Sequence, residues 1–272
     1  EQWWKRQCRQ PAGQRHVVID WRFAFAEMTK RTDVERIETP HGVRFAGVPS
    51  GPARALVTFG YDLWCAQKSK RLPKSIIDRL SRQQSFQSAR YEIAASAIMA
   101  RSGFSLQFLD DREATAKHCE FIATHNVSGL KVGVEAKSRV RPGAMHERGE
   151  FEYEGDDSEG LVNLVRKACK QAEPGLPLIV FLDVNLPPGE LKWIEDASLA
   201  ASSLERAARQ RGEAGEPYAA LVSTNFGFYF EPPDGEASPS SAMMIIPTNA
   251  QRPVPRATLE SIGLTCGKYH QV

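Results

Sequence analysis

The sequence has no apolar run near the ~18 residues that a membrane-crossing helix needs, no Cys-x-x-Cys pair and no internal repeat. The first absence argues against a helical membrane protein. Neither an initiator Met nor a basic-then-apolar signal pattern stands at the N-terminus, so position 1 is expected not to be the gene's own start. Five cysteines (Cys8, Cys65, Cys119, Cys169, Cys266) are odd in number and widely spaced, and six histidines supply no finger-like partner set. That pattern speaks against a disulfide framework or a structural zinc, and for reduced thiols in a cytoplasm.

What is present is a chain of 272 residues, 42% apolar and 25% charged, the composition of a soluble globular protein with room for one large domain or two modest ones. Net charge is only +2, but it is unevenly spread. Residues 1–90 hold 17 Lys/Arg against 8 Asp/Glu, and the remainder 18 against 25. A basic half beside an acidic half describes a polyanion-binding surface next to a cation site, and equally two regions that attract each other.

Along the chain, "HVVIDWRFAFA" (16–26) and "VRFAGV" (43–48) read as strands, and "PARALVTFGYDLWCAQ" (52–67) as a helix with Pro52 in its first turn. "KSKRLPKSIIDRLSR" (68–82) is a basic run, suited to a solvated helix face or a phosphate-binding flank. A helix is predicted over 86–102, then strands over 104–111, 119–125 and 130–139, and a long polar loop over 140–157. A helix capped by Ser158, an apolar central strand (177–184), a long helix (189–211) and one or two strands over 218–230 follow. The Pro-rich tail from 231 reads as extended. The fold class is α/β, with a mixed central sheet flanked by helices rather than a regular βαβ alternation.

The stretch "VGVEAKSR" (132–139) alternates apolar and polar residues, and puts Glu135 and Lys137 on one strand face. If "NVSG" (126–129) is the hairpin turn, Phe121 faces Val134 and Glu120 faces Glu135, with β-carbons ~5 Å apart. Two carboxylates so placed repel unless neutralised, and a hard Mg²⁺ ion with oxygen ligands would neutralise them. Lys137, one pleat on, would orient an attacking water or stabilise phosphate charge. The other reading is a solvated edge hairpin with Lys137 screening two ordinary acids. Glu92, on the preceding helix, has only Ser88, Ala89, Ala95 and Ser96 at helical spacing, so no on-helix ion pair is open to it. Asp110 and Asp111 fit a strand-ending turn or a site acid.

The segment "CEFIATHNVSGLKVGVEAKSR", preceded by a helix carrying Glu92, resembles the PD-(D/E)XK superfamily of restriction-endonuclease-like nucleases over about residues 86–184. Glu135-Ala136-Lys137 matches the family's E-x-K. Glu120 stands where the family usually has Asp, and Cys119 where it usually has Pro. The resemblance implies a restriction-endonuclease-like α-β-β-β-α-β core and Mg²⁺-dependent hydrolysis of nucleic acid, most naturally DNA, by metal-activated water. Mn²⁺ would substitute for Mg²⁺. Glu120, Glu135 and the Ala136 carbonyl would hold the metal, Glu92 would assist, and Lys137 would position the water. Lys131, Arg139 and Arg141 would contact phosphates beside it, with Arg166, Lys167 and Lys170 along the cleft.

His118, His125 and His146 suit surface or structural roles. Residues 1–84 would form a basic region with a specificity or oligomerisation role, 85–230 the nuclease-like core and 231–272 the tail. A homodimer is compatible with this plan. The alternative is a nuclease-fold module that binds nucleic acid or a protein partner without cutting.

Overall fold

The computed structural model describes residues 2–69, 72–109, 118–147, 149, 158–189 and 192–269. The helices are α1 (Gln2–Cys8), α2 (Val17–Met28), α3 (Gly51–Ser69), α4 (Lys74–Leu80), α5 (Gln83–Arg101), α6 (Ser158–Cys169), α7 (Lys192–Gln210) and α8 (Arg256–Gly267). The strands are β1 (Glu35–Thr39), β2 (Gly42–Ala46), β3 (Phe104–Phe108), β4 (Phe121–His125), β5 (Lys131–Ser138), β6 (Leu178–Asp183), β7 (Ala220–Asn225) and β8 (Ser241–Ile245). β1 and β2 form a small antiparallel sheet of their own. The rest form one six-stranded sheet in the order β3-β4-β5-β6-β7-β8. β5, β6 and β7 run parallel, and the remaining pairs are antiparallel. The chain is therefore α/β with a mixed sheet flanked by helices. Among the described residues, no helix is long and apolar enough to cross a membrane.

Alternation along the strands divides the interior in two. Phe121, Val132, Val134, Ile179, Phe181 and Val222 face a large core with α3, α5 and α8. Leu178, Val180, Leu182 and Leu221 face a smaller one under α6 and α7. α6 and α7 keep a clear apolar stripe toward the sheet. β6 is buried at every position, as a central parallel strand must be when helices cover both faces. The larger core also takes in Val17, Trp21, Ala55 and Phe59, so it continues without a break across position 84.

Two expectations are corrected. Residues 17–28 form a helix, not a strand. Ile19, Trp21, Phe23 and Phe25 do alternate with polar or small residues, but Val17 and Trp21, one helical turn apart, are what the large core takes in. The Trp21 indole is surrounded by Phe59, Phe86 and Tyr229. The tail is not extended either. β8 completes the sheet beside β7, and α8 inserts Leu259, Ile262 and Cys266 into the large core.

α3 starts against the turn at residues 227–229. A β-carbon on Gly51 would lie 2.6 Å from the Phe228 carbonyl oxygen, a contact that the backbone must move to relieve. Gly51→Ala is expected to cost about 1–3 kcal/mol, read as a lower urea midpoint with an unchanged m-value.

Candidate active site

The β4–β5 hairpin has the register that its loop implies. Phe121 faces Val134, Ile122 faces Gly133, Ala123 faces Val132 and Thr124 faces Lys131. The turn closes with Gly129 N–H donating to the His125 carbonyl (2.9 Å), and Gly129 has φ +69°, which glycine adopts without cost. Strand pairing ends at Phe121, but the backbone N–H of Glu120 still reaches the Val134 carbonyl (3.1 Å). It also donates to Glu135 Oε2 (3.1 Å). The Glu120 backbone and the Glu135 carboxylate therefore meet across the end of the hairpin.

Glu135 is fully buried, and its second oxygen forms an ion pair with the Lys137 ammonium. E-x-K thus acts as a contact: residues two apart on a strand share a face, and the longer side chain folds back over the shorter. Burial pushes the Glu135 carboxyl up to about 7, with Lys137 opposing and Glu92 adding to the rise. Glu120 is pushed well above the usual carboxylate range, first by burial and then by the charges of Glu92 and Glu135. Glu92, on α5, is raised by burial, while the Arg79 guanidinium holds it back. Three carboxyls from a helix, a strand end and a strand therefore sense one another in a region of low dielectric, with Lys137 among them.

Arg79, at the end of α4, grips Glu92 with both terminal nitrogens, one at 2.7 Å to Oε1. It was not legible as a partner, because helical spacing on α5 offers Glu92 no base and the guanidinium comes from another helix. Asp183 was also missed. It ends β6 opposite Ser138, fully buried, and accepts from Ser138 Oγ (3.2 Å). Burial pushes its carboxyl up to about 7, against the Ser138 hydrogen bond and Arg90. An acid at the C-terminal end of a wholly apolar strand was the signal available.

Lys131 is exposed at the hairpin end of β5, about 13 Å from Glu135 at ~3.3 Å per residue. It is not brought beside the acids. Arg141 is buried, and its Nε donates to the Val184 carbonyl (3.3 Å). Its own backbone is held by Gln87 through N–H (3.2 Å) and carbonyl (3.0 Å). Arg141 is a structural residue, correcting the phosphate-contact reading. Arg139 follows β5 directly, with its backbone N–H on the Asp183 carbonyl (2.9 Å), two residues past Lys137 and nearest to the cluster of the three.

Arg166 and Lys167 lie on the exposed side of α6, and Lys170 is exposed just past its end. His146 is structural: Nδ1 accepts from the Trp21 indole (2.9 Å) and Nε2 donates to the Phe228 carbonyl (3.0 Å). His125 binds Ser128 in the turn, and His118 lies against the Cys119 carbonyl. Asp110, Asp111, and residues 148 and 150–157 of the loop lie outside the described residues.

Compared with family models, curated proteins and solved structures, the chain matches none. The reading of the site therefore rests on its own chemistry. The donors are hard oxygens, the type that a hard divalent cation takes. Among the described residues, however, no three His, Cys, Asp or Glu side chains are gathered closely enough to hold an ion. A set of Glu120, Glu135 and the Ala136 carbonyl is sparse, as Mg²⁺ sites with several retained waters are.

Asp183 gives a prediction free of metal. Its folded pKa (about 7) lies above its unfolded value (3.8), so the folded state keeps the proton longer. Its contribution to stability is greatest at low pH and falls as pH rises from about 4 to 7. Asp183→Asn carries no such loss. Relative to wild type, the variant should gain stability steadily between pH 4.5 and 7 and then level off, as measured by urea unfolding at four pH values.

Proposed function

We propose that this protein is a Mg²⁺-dependent nuclease of PD-(D/E)XK type, with a restriction-endonuclease-like core, that hydrolyses phosphodiester bonds of DNA. The observation that carries this reading is the buried Glu135 in an ion pair with Lys137, with the Glu120 backbone N–H on its other oxygen and a further buried acid, Glu92, on α5. A set of buried, mutually repelling acids beside a lysine is a costly way to build an ordinary sheet face.

Glu120, Glu135 and the Ala136 carbonyl would hold the ion, with Glu92 supporting it from α5. When bound, Mg²⁺ supplies Lewis acidity toward the scissile phosphate and lowers the pKa of water. Lys137 orients the attacking water and stabilises the charge that develops on the phosphoryl oxygens. The water oxygen would attack phosphorus in line as its proton passes to solvent, the bond to the leaving deoxyribose oxygen would break, and the leaving oxygen would take a proton from solvent.

A second reading, a nuclease-fold module that binds without cutting, is favoured by one observation. Glu135 and Glu92 already have Lys137 and Arg79 as counter-ions, so two of the three acids are paired without a metal. The test is incubation with supercoiled, linear and single-stranded DNA in Mg²⁺ or Mn²⁺, beside Glu135→Ala. Cleavage by wild type alone supports the nuclease. DNA binding that is the same in EDTA and Mg²⁺, with no nicking, supports the binding module.

A further inference from the structure

At the opposite end of β4 from Glu120, α3 and α5 meet the start of β3 around a cavity of about 380 Å³. Tyr61 and Trp64 lie on its wall with rings stacked, centroids 5.7 Å apart and planes 24° from parallel. Each ring has a cation beside it. Lys68 Nζ is 4.3 Å from the Trp64 ring, and the Arg101 guanidinium 5.4 Å from the Tyr61 ring. Trp64 is 51% exposed, whereas Phe59 on the same helix is in the core. Ser105 and Asn126 complete the wall, and Asn126 uses Oδ1 to accept from Ser105 Oγ (2.6 Å). Its amide N–H groups take no part in that bond. Among the described residues, the lining includes two bases and no acid.

A single exposed aromatic is common on a protein surface. A stacked, cation-flanked pair beside an amide is a different feature, because its parts match the parts of a nucleotide. An aromatic face takes a base of any identity, a lysine or arginine takes the phosphate, and an amide takes a base edge. We infer that this cavity is a stacking site for single-stranded nucleic acid. The base lies on Trp64, Lys68 leaves the ring to meet the phosphate, and Arg101 holds the neighbouring charge. Lys68 makes that exchange readily, since an exposed cation–π contact is weaker than a base stacked on Trp and its four-carbon stem is flexible. Polyanion binding by charge alone would not need the aromatic platform, so an acidic peptide is the weaker fit.

The site lies about 20 Å from Glu120 along β4, at ~3.3 Å per residue. It does not depend on metal or cleavage.

The experiment is fluorescence anisotropy of a labelled oligo-dT 20-mer with the full chain in EDTA, where no hydrolysis occurs. Trp64→Ala should weaken binding about 5- to 100-fold, as loss of one base stack does. Trp64→Phe should restore most of the affinity, and an unchanged thermal midpoint would show that both variants fold. Lys68→Ala should lower the slope of log K against log salt by about 0.7, the share of one phosphate contact on a single strand. The inference is overturned if wild type does not bind oligo-dT at low salt, if Trp64→Ala binds as wild type does, or if polyglutamate competes as well as oligo-dT. Nicking in Mg²⁺ with no effect of Trp64→Ala would leave the nuclease reading standing and remove this one. An effect of Trp64→Ala without nicking would do the reverse.

Discussion

Lys137→Ala is expected to lower the rate of Mg²⁺-dependent DNA cleavage by about 10²–10³-fold, the usual cost of removing a preorganised group that meets developing charge. The same substitution should leave Mg²⁺ binding intact or tighten it. In the metal-free protein the Lys137 ammonium is the counter-ion of Glu135, so it competes with an incoming cation for that carboxylate. Glu135→Ala should abolish both cleavage and metal binding, because Glu120 is then the only side chain of the sparse set left to hold a strongly hydrated ion. Single-turnover cleavage beside calorimetric Mg²⁺ titration separates the two outcomes. Loss of metal binding in Lys137→Ala would mean that the lysine builds the site rather than acting in it. Full activity in that variant would end the proposed mechanism.

Asp62→Ala is expected to destabilise the fold by about 3–5 kcal/mol, because it leaves one member of a buried ion pair without its partner. Asp62 and Arg90 meet at 2.9 Å with side chains 0% and 1% exposed. The Tyr269 hydroxyl also donates to Asp62 and lies 3.4 Å from Arg90. The guanidinium lies near the Phe59 and Tyr229 rings, buried away from the surface. Burial pushes the Asp62 carboxyl up to about 6 against the pull of Arg90, so both partners are charged at pH 7.5. Urea unfolding at that pH measures the loss. The double variant Asp62→Leu/Arg90→Met should cost clearly less than the two single changes together, since it removes the stranded charge as well as the pair. Additive costs would show that the two residues contribute separately.

The hairpin was the part of this protein most open to reading from sequence, and the reason is geometric. Alternation fixes which residues share a face, and a four-residue turn fixes which residues meet, so the approach of Glu120 to Glu135 follows from counting. Arg79 and Asp183 escaped because their roles depend on packing between distant elements, which no local period encodes. Arg141 shows the opposite failure: a base beside a motif suggested a phosphate contact, but its backbone docks on Gln87 and its side chain is drawn inside. The helix over 17–28 was misread because a period of two and a period of 3.6 agree over a few residues. Only the pocket that receives Trp21 decides between them. In the tail, Leu259, Ile262 and Cys266 already stood at helical spacing behind Pro255, but the surrounding prolines suggested an extended chain.

β8 and α8 bear on the order in which the molecule can be completed. During synthesis, β7 leaves the ribosome before either of them. Until they follow, its outer edge offers unpaired N–H and C=O groups, and the Asp62–Arg90 pair lacks the phenol that closes it. A nascent chain paused near residue 230 would therefore hold its coupled acids, its hairpin and most of its sheet, yet present an open strand to any neighbour. Protection from aggregation arrives with β8 and α8, after the hairpin and its acids have already been made.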